Sequence, residues 1–173
     1  GNGTDTEDFI DALNNATFGG YSDWRMPSIK ELDYIVNFII EHTIPYINTN
    51  FFTNTNMPSY WSCSSKASGT YSAWYLHFNG GFEYEDVKDS YYYARAVRGS
   101  KNQSAYIDNL DDTVTDSSTG LTWQQTTPTE TYTWEQALDY CENLTLGGRS
   151  DWRMPTRKEL RSLVDYSQYD PSI

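Results

Sequence analysis

The chain predicts an α+β fold built from a duplicated module, with pairs of short helices packed on short antiparallel strands. Three observations predict it: a long string that recurs once, helix-capping signals at equivalent places in both copies, and a strand-rich stretch between them. The string is Gly19–Leu32, Gly-Gly-Tyr-Ser-Asp-Trp-Arg-Met-Pro-Ser-Ile-Lys-Glu-Leu. It returns at Gly147–Leu160 as Gly-Gly-Arg-Ser-Asp-Trp-Arg-Met-Pro-Thr-Arg-Lys-Glu-Leu, 128 positions on (147 − 19). Two copies are too few for a stacked solenoid, so the chain is a tandem of one unit.

A first helix precedes the string in each copy. Thr133 and Gln136 stand at capping-box spacing, and Trp134, Ala137, Leu138, Cys141 and Leu144 form an apolar stripe of helical period. In the other copy Asp5 is the expected cap, Glu7 and Asp8 suit the first turn, and Phe9, Ile10, Leu13 and Ala16 make the stripe. The Gly-Gly pairs, Gly147-Gly148 in the second copy, supply left-handed stops. A second helix must start after the proline of Asp-Trp-Arg-Met-Pro, where Ser28–Glu31 and Thr156–Glu159 are further capping boxes. Its buried face reads Leu32, Ile35, Val36, Ile39 and Ile40 in the first copy and Leu160, Leu163 and Val164 in the second.

Strands are expected at Tyr60–Ser65, Ala73–Phe78, Phe82–Glu85 and Tyr92–Arg98, with Asn79-Gly80 as a hairpin turn. Two more, Asp112–Asp116 and Leu121–Gln125, flank the turn Ser117-Ser118-Thr119-Gly120. The organisation is therefore a first module at 5–99 lacking N-terminal strands, a linker at 100–104, and a second module at 105–173 lacking the strand-rich tail. Because an open sheet edge is an aggregation hazard, the strands at Thr113–Gln125 are expected to complete the first copy's sheet, permuted within the chain or swapped with a neighbour.

Composition narrows the partners. A formal net charge of -12 repels phosphate backbones and anionic headgroups, which disfavours nucleic acid and membrane surfaces. The longest apolar stretch, around Ile35–Ile40, is interrupted by Asn37 and is too short to span a bilayer, so no membrane insertion is expected. Gly1 in place of an initiator Met points to processing or a tag remnant. Abundant Tyr, Trp, Asn, Thr and Ser with few Lys matches secreted surface proteins.

Thr119–Gln124, the helix end Asn143–Gly148, both Asp-Trp-Arg-Met-Pro boxes, Tyr60-Trp61-Ser62 and Arg95–Gly99 together resemble the Lcl C-terminal domain family, named for the C-terminal domain of a bacterial collagen-like adhesin. The resemblance implies a C-type-lectin-like fold, related also to the formylglycine-generating enzyme, in exported or surface proteins. The named member binds sulfated glycosaminoglycans and assembles as a trimer. Here the acidic charge makes that ligand a poor one unless a patch around Arg95, Arg98 and Lys101 overrides it. Family members often carry a Cys in the last strand that could pair with the first-helix Cys; that position here is Ala96, so the resemblance places the mate of Cys141 beyond Ile173.

Asp23, Trp24, Arg25 and Asp151, Trp152, Arg153 read as structural: a Trp beside an Arg–carboxylate pair that fixes the loop entering a helix. Asp108, Asp111, Asp112 and Asp116 crowd one hairpin, and such oxygen-rich loops suit Ca²⁺. Their spacing matches no EF-hand, and solvated turn carboxylates are the favoured reading, so no cofactor is expected and Ca²⁺ is the lesser alternative. Cys63 and Cys141 occupy non-equivalent positions; a disulfide between them is one option, and two separate thiols are favoured. There is no Gly-x-Ser-x-Gly elbow, His-Glu-x-x-His, phosphate loop or Cys-x-x-Cys, which argues against an enzyme.

The ligand-binding candidates are Tyr60, Trp61, Trp74, Tyr75, Tyr84 and Tyr92, with Arg95 and Arg98. Strand periodicity of two turns part of this aromatic set outward, where rings can stack on sugars or pack on a protein. The expected function is a non-catalytic extracellular or cell-surface recognition or adhesion module for carbohydrate or extracellular protein, with homo-oligomerisation open. A structural spacer in a larger surface protein and an uncharacterised enzyme are the alternatives.

Overall fold

The computed structural model describes residues 5–38, 44–55, 59–100 and 105–169. Ile39, Ile40 and Lys101 lie outside the described residues. The protein is mixed α and β, with three small antiparallel sheets and four short α-helices among the described residues. It divides into two compact units, Gly1–Gly99 with Arg157–Ile173, and Ser100–Thr156. The break after Gly99 falls at the junction between the copies, but the second helix of copy two groups with the first unit.

In the first unit, α1 (Thr6–Asn15) starts at Asp5, whose carboxylate accepts from the Asp8 amide at 2.9 Å while Asp8 reaches back. The helix buries no residue, and Phe9 of the expected stripe is exposed. The left-handed glycines Gly19 and Gly20 stand beyond the helix end; Thr17 is the residue that turns left-handed first, with φ 47°. β1 (Trp24–Arg25) follows, then α2 (Ile29–Tyr34), capped reciprocally by Ser28 and Glu31. Pro27 cannot extend a preceding helix, so the chain turns there, and Ile29, Leu32 and Val36 fall on one face and are buried.

That face packs on the sheet β2 (Ser59–Ser65), β3 (Ser72–His77) and β4 (Phe82–Val87), ordered β2-β3-β4. Ile47, Tyr60, Leu76 and Phe78 complete the core, with Phe52, Trp74 and Tyr166 against it. Each fully buried aliphatic or aromatic side chain contributes roughly 1.5–3 kcal/mol. The β3–β4 hairpin lies where Asn79-Gly80 placed it, but its loop spans four residues and Gly81 carries the positive φ of 63°. Phe78 is turned into the core, which lengthens the loop beyond a two-residue turn.

Two sequence expectations about strands need correction. Of Tyr92–Arg98 only β5 (Val97–Arg98) forms, pairing with β1, because the chain leaves β2 at a single bridge from Tyr93 to Tyr60 and Arg95 turns inward. The strands at 113–125 do not complete this sheet within the chain. The outer edge of β2 is already occupied: Trp61 N–H donates to Tyr93 O at 2.9 Å, and Cys63 N–H to Pro27 O at 2.8 Å.

The second unit builds its own sheet from β6 (Tyr106–Asp108), β7 (Thr113–Asp116) and β8 (Thr122–Gln124), with α3 (Trp134–Asn143) behind a Thr133–Gln136 capping box. Gln124 and Tyr140 exchange a hydrogen bond that ties β8 to α3. Trp134, expected on the apolar stripe, is 66% exposed, since it is the first helical residue and lies past the end of the packed face. α4 (Arg157–Ser162) belongs to the first unit. Its Leu160, expected in a core, is 51% exposed; the equivalent Leu32 is covered by β2 and β3, and no described strand covers that side of α4.

Candidate functional site

The sheet alternation splits the aromatic candidates between two faces. Tyr60 and Trp74 point to the α2 side: Tyr60, 4% exposed, meets Phe78 at 5.3 Å between ring centroids, and Trp74 meets Tyr166 at 5.3 Å. They belong to the core and are not available to a ligand.

Trp61, Tyr75 and Tyr84 lie directly opposite one another on β2, β3 and β4, on the other face. Their rings form a continuous row. Trp61 and Tyr75 are 5.8 Å apart, Tyr75 and Tyr84 5.8 Å, and Tyr92 closes over the row at 4.8 Å from Trp61 and 4.3 Å from Tyr75. Exposure rises along it: Trp61 is 7% exposed, Tyr75 and Tyr92 are half-buried, and Tyr84 is 48% exposed. His77, also on this face, meets Tyr84 edge-on at 6.3 Å. The exposed rings of Phe82, Tyr91 and Tyr93 come from the same strand and the following loop.

The row is fixed by polar anchors. Trp61 Nε1 donates to Ser90 O at 3.3 Å, and Tyr92 Oη donates to Asp86 Oδ2 at 2.8 Å. Burial first, then the Asp86 carboxylate, pushes the Tyr92 phenol well above its ordinary pKa, and the same bond holds Asp86 below the usual carboxylate range. Asp86 thus places a negative charge beside an aromatic shelf whose rings are already oriented.

The arginine candidates lie elsewhere. Arg95 is sandwiched between Phe52 and Tyr60, 5.0 and 5.2 Å from the ring centroids, and donates to Thr55 Oγ1 at 3.0 Å. Arg98 pairs with Asp23 at 2.9 Å and lies 3.5 Å from the Tyr21 ring centroid, a contact the sequence did not signal.

The two Asp-Trp-Arg boxes have matching surroundings. Trp24 Nε1 donates to Phe18 O at 3.0 Å, and Trp152 Nε1 to the equivalent Leu146 O at 3.2 Å. Arg25 and Arg153 each donate to the next methionine's carbonyl at 3.4 Å. Arg25 also grips Glu31 bidentately at 2.8 and 2.6 Å, which locks the loop to the helix it precedes. Asp23 and Asp151 are both exposed, and Asp23 pairs with Arg98.

The acidic hairpin does not converge. Among the described residues no group of three or more His, Cys, Asp or Glu side chains is placed to share a metal. Asp108 accepts from Leu110 N–H at 2.8 Å, Asp111 accepts from Thr113 at 3.2 Å (N–H) and 2.5 Å (Oγ1), and Asp112 is exposed with a left-handed backbone. Asp116 departs from the solvated-carboxylate expectation. It is 0% exposed and accepts from Ser118 N–H, Ser118 Oγ and Thr119 Oγ1 at 2.9, 2.7 and 2.9 Å. Cys63 and Cys141 are both free thiols. No helix among the described residues is long and apolar enough to cross a membrane.

No curated protein and no solved structure matches the chain at a significant level. The sequence model of the Lcl C-terminal domain matches residues 2–98 and 112–173, once over each copy of the repeat. The chain belongs to the Lcl C-terminal domain family.

Proposed function

We propose that the protein is a non-catalytic recognition module of the bacterial cell surface or its exterior, with a fold akin to C-type lectins, and that it binds through the aromatic face of β2–β4. The row Trp61–Tyr75–Tyr84, roofed by Tyr92, carries this reading. Its inner rings are held by packing and hydrogen bonds and its outer ring is open, so a ligand meets an ordered apolar surface with little side-chain entropy left to lose. A flat shelf of this kind suits the apolar face of a pyranose ring or a protein side chain.

Charge selects among ligands. With Asp86 on the shelf and a net charge of -12, neutral or cationic partners are favoured over sulfated polysaccharide. Of the basic side chains expected to serve an anionic ligand, Lys101 lies outside the described residues and the other two are engaged, Arg95 with rings and Arg98 with Asp23. The test is a glycan and extracellular-matrix-protein array at physiological salt, where signal on neutral or basic ligands is expected. Signal confined to sulfated glycans would overturn the charge argument, and silence on both arrays would leave the spacer reading in its place.

A further inference from the structure

The contact between α2 and α4 obeys a symmetry that the repeat makes visible. Position for position, Lys30 corresponds to Lys158, Asp33 to Arg161, and Tyr34 to Ser162, each 128 residues on. Lys30 Nζ donates to Ser162 O at 2.7 Å, and Lys158 Nζ donates to Tyr34 O at 2.9 Å. These are one interaction written twice with the copies exchanged. Between them Arg161 Nη1 faces Asp33 Oδ1 at 3.3 Å, so the residue nearest the axis meets its own counterpart. Residue i touching j while j touches i is the signature of an isologous, two-fold interface, which normally relates two subunits. The crevice between the helices encloses only about 10 Å³, too little for a ligand, so the face serves helix pairing.

We propose that α2 and α4 form an internal dyad, a self-complementary helix face duplicated with the module, and that Asp33 and Arg161 restrict its partner to a second helix of opposite central charge. On a true two-fold the central residue faces itself. Copy one paired with copy one would oppose two buried aspartates, and copy two with copy two would oppose two arginines; only unlike copies neutralise each other. The repeat-equivalent lysines supply the common affinity, and position 33/161 supplies the discrimination. Both halves of the interface are present in one chain, so the favoured partner of the α2 face is the chain's own α4, and like-with-like pairing between chains is disfavoured.

The energetics fit selectivity better than stability. Burial raises the Asp33 pKa, and Arg161, with Arg157 and Lys158, opposes that shift without cancelling it. The pair therefore does not recover the whole cost of its desolvation, a common outcome for buried ion pairs. Arg161 also contacts Glu83 on β4, whose other oxygen accepts from Tyr166 Oη at 2.5 Å. Arg161 thus stands between two carboxylates, Asp33 and Glu83, with Lys30 and Lys158 at the flanks, so a reversal at 161 acts on Glu83 as well as on Asp33.

The test is charge reversal in the full chain, read by hydrogen exchange of the α4 amides. Asp33→Arg and Arg161→Asp are each expected to speed α4 exchange roughly a hundredfold or more, because each leaves like charges buried together. The double reversal Asp33→Arg/Arg161→Asp, made together with Glu83→Gln so that the carboxylate introduced at 161 meets no second one, is expected to regain most of the protection. A double variant exchanging as fast as the worse single, or singles as protected as the parent, would overturn the proposal. Should a reversal prevent folding, the neutral cycle Asp33→Asn and Arg161→Gln decides: coupled losses support the pair and additive losses overturn it. Lys30→Met and Lys158→Met are expected to weaken the contact by comparable factors, and a loss confined to one lysine contradicts the dyad.

Discussion

Trp61 and Tyr84 stand in one row of one sheet face, yet burial gives them different work. Trp61 is enclosed by Tyr75 and Tyr92, so Trp61→Ala removes a packed ring and is expected to cost about 3–5 kcal/mol in chemical denaturation. Tyr84→Ala removes a half-exposed ring and should leave the melting midpoint within a few degrees of the parent while reducing any ligand signal. Asp116 is a separate matter of local electrostatics. Burial pushes its pKa up, but the hydrogen bonds from Ser118 and Thr119 outweigh it and hold the carboxyl below the usual carboxylate range. A depressed folded pKa means the stabilisation is complete above the ordinary carboxylate value and is lost as pH falls through the folded one. Asp116→Ala is expected to cost the second unit about 2 kcal/mol at neutral pH and to flatten its acid-unfolding limb below about pH 4.

At the scale of elements, the reciprocal caps at Ser28 and Thr133 predict that Ser28→Ala and Thr133→Ala each lose about 1 kcal/mol by thermal unfolding. Gly81→Ala should be worse, roughly 1–3 kcal/mol, because the residue is left-handed and an added Cβ would lie 2.4 Å from Phe38 Cε1. These features also show how far the sequence could be read. Helix caps, the proline before α2 and the Asn-Gly hairpin are local signals, and they located the starts of all four described α-helices and the main strands. Burial is a tertiary property, and there the reading held for Leu32 and Val36 but failed for Leu160 and Trp134. Leu160 and Leu32 share a motif and a helical phase, but only Leu32 has a sheet against it. Tyr60 and Trp61 differ by one residue and so face opposite ways, which alternation implies, but which face is the core depends on where α2 packs. The edge of β2 could not be assigned from sequence either, because its partners Pro27 and Tyr93 lie outside regular strands.

Over the whole molecule, duplication explains more than either copy does. The Trp24 and Trp152 corners repeat as structure, and the second helices repeat as an interface. What is not duplicated among the described residues is the aromatic sheet, which only the first copy carries. Calcium is expected to leave thermal unfolding unchanged, since the hairpin carboxylates are committed to their own turns and do not converge. Recognition should instead depend on the open edge of the aromatic row. The direct measurement is equilibrium binding of the strongest array ligand to the parent and to Tyr84→Ala, with circular dichroism confirming that both are folded. Binding lost with Tyr84, at least tenfold or about 1.4 kcal/mol, is expected; affinity unchanged in a folded Tyr84→Ala protein would contradict recognition through this face.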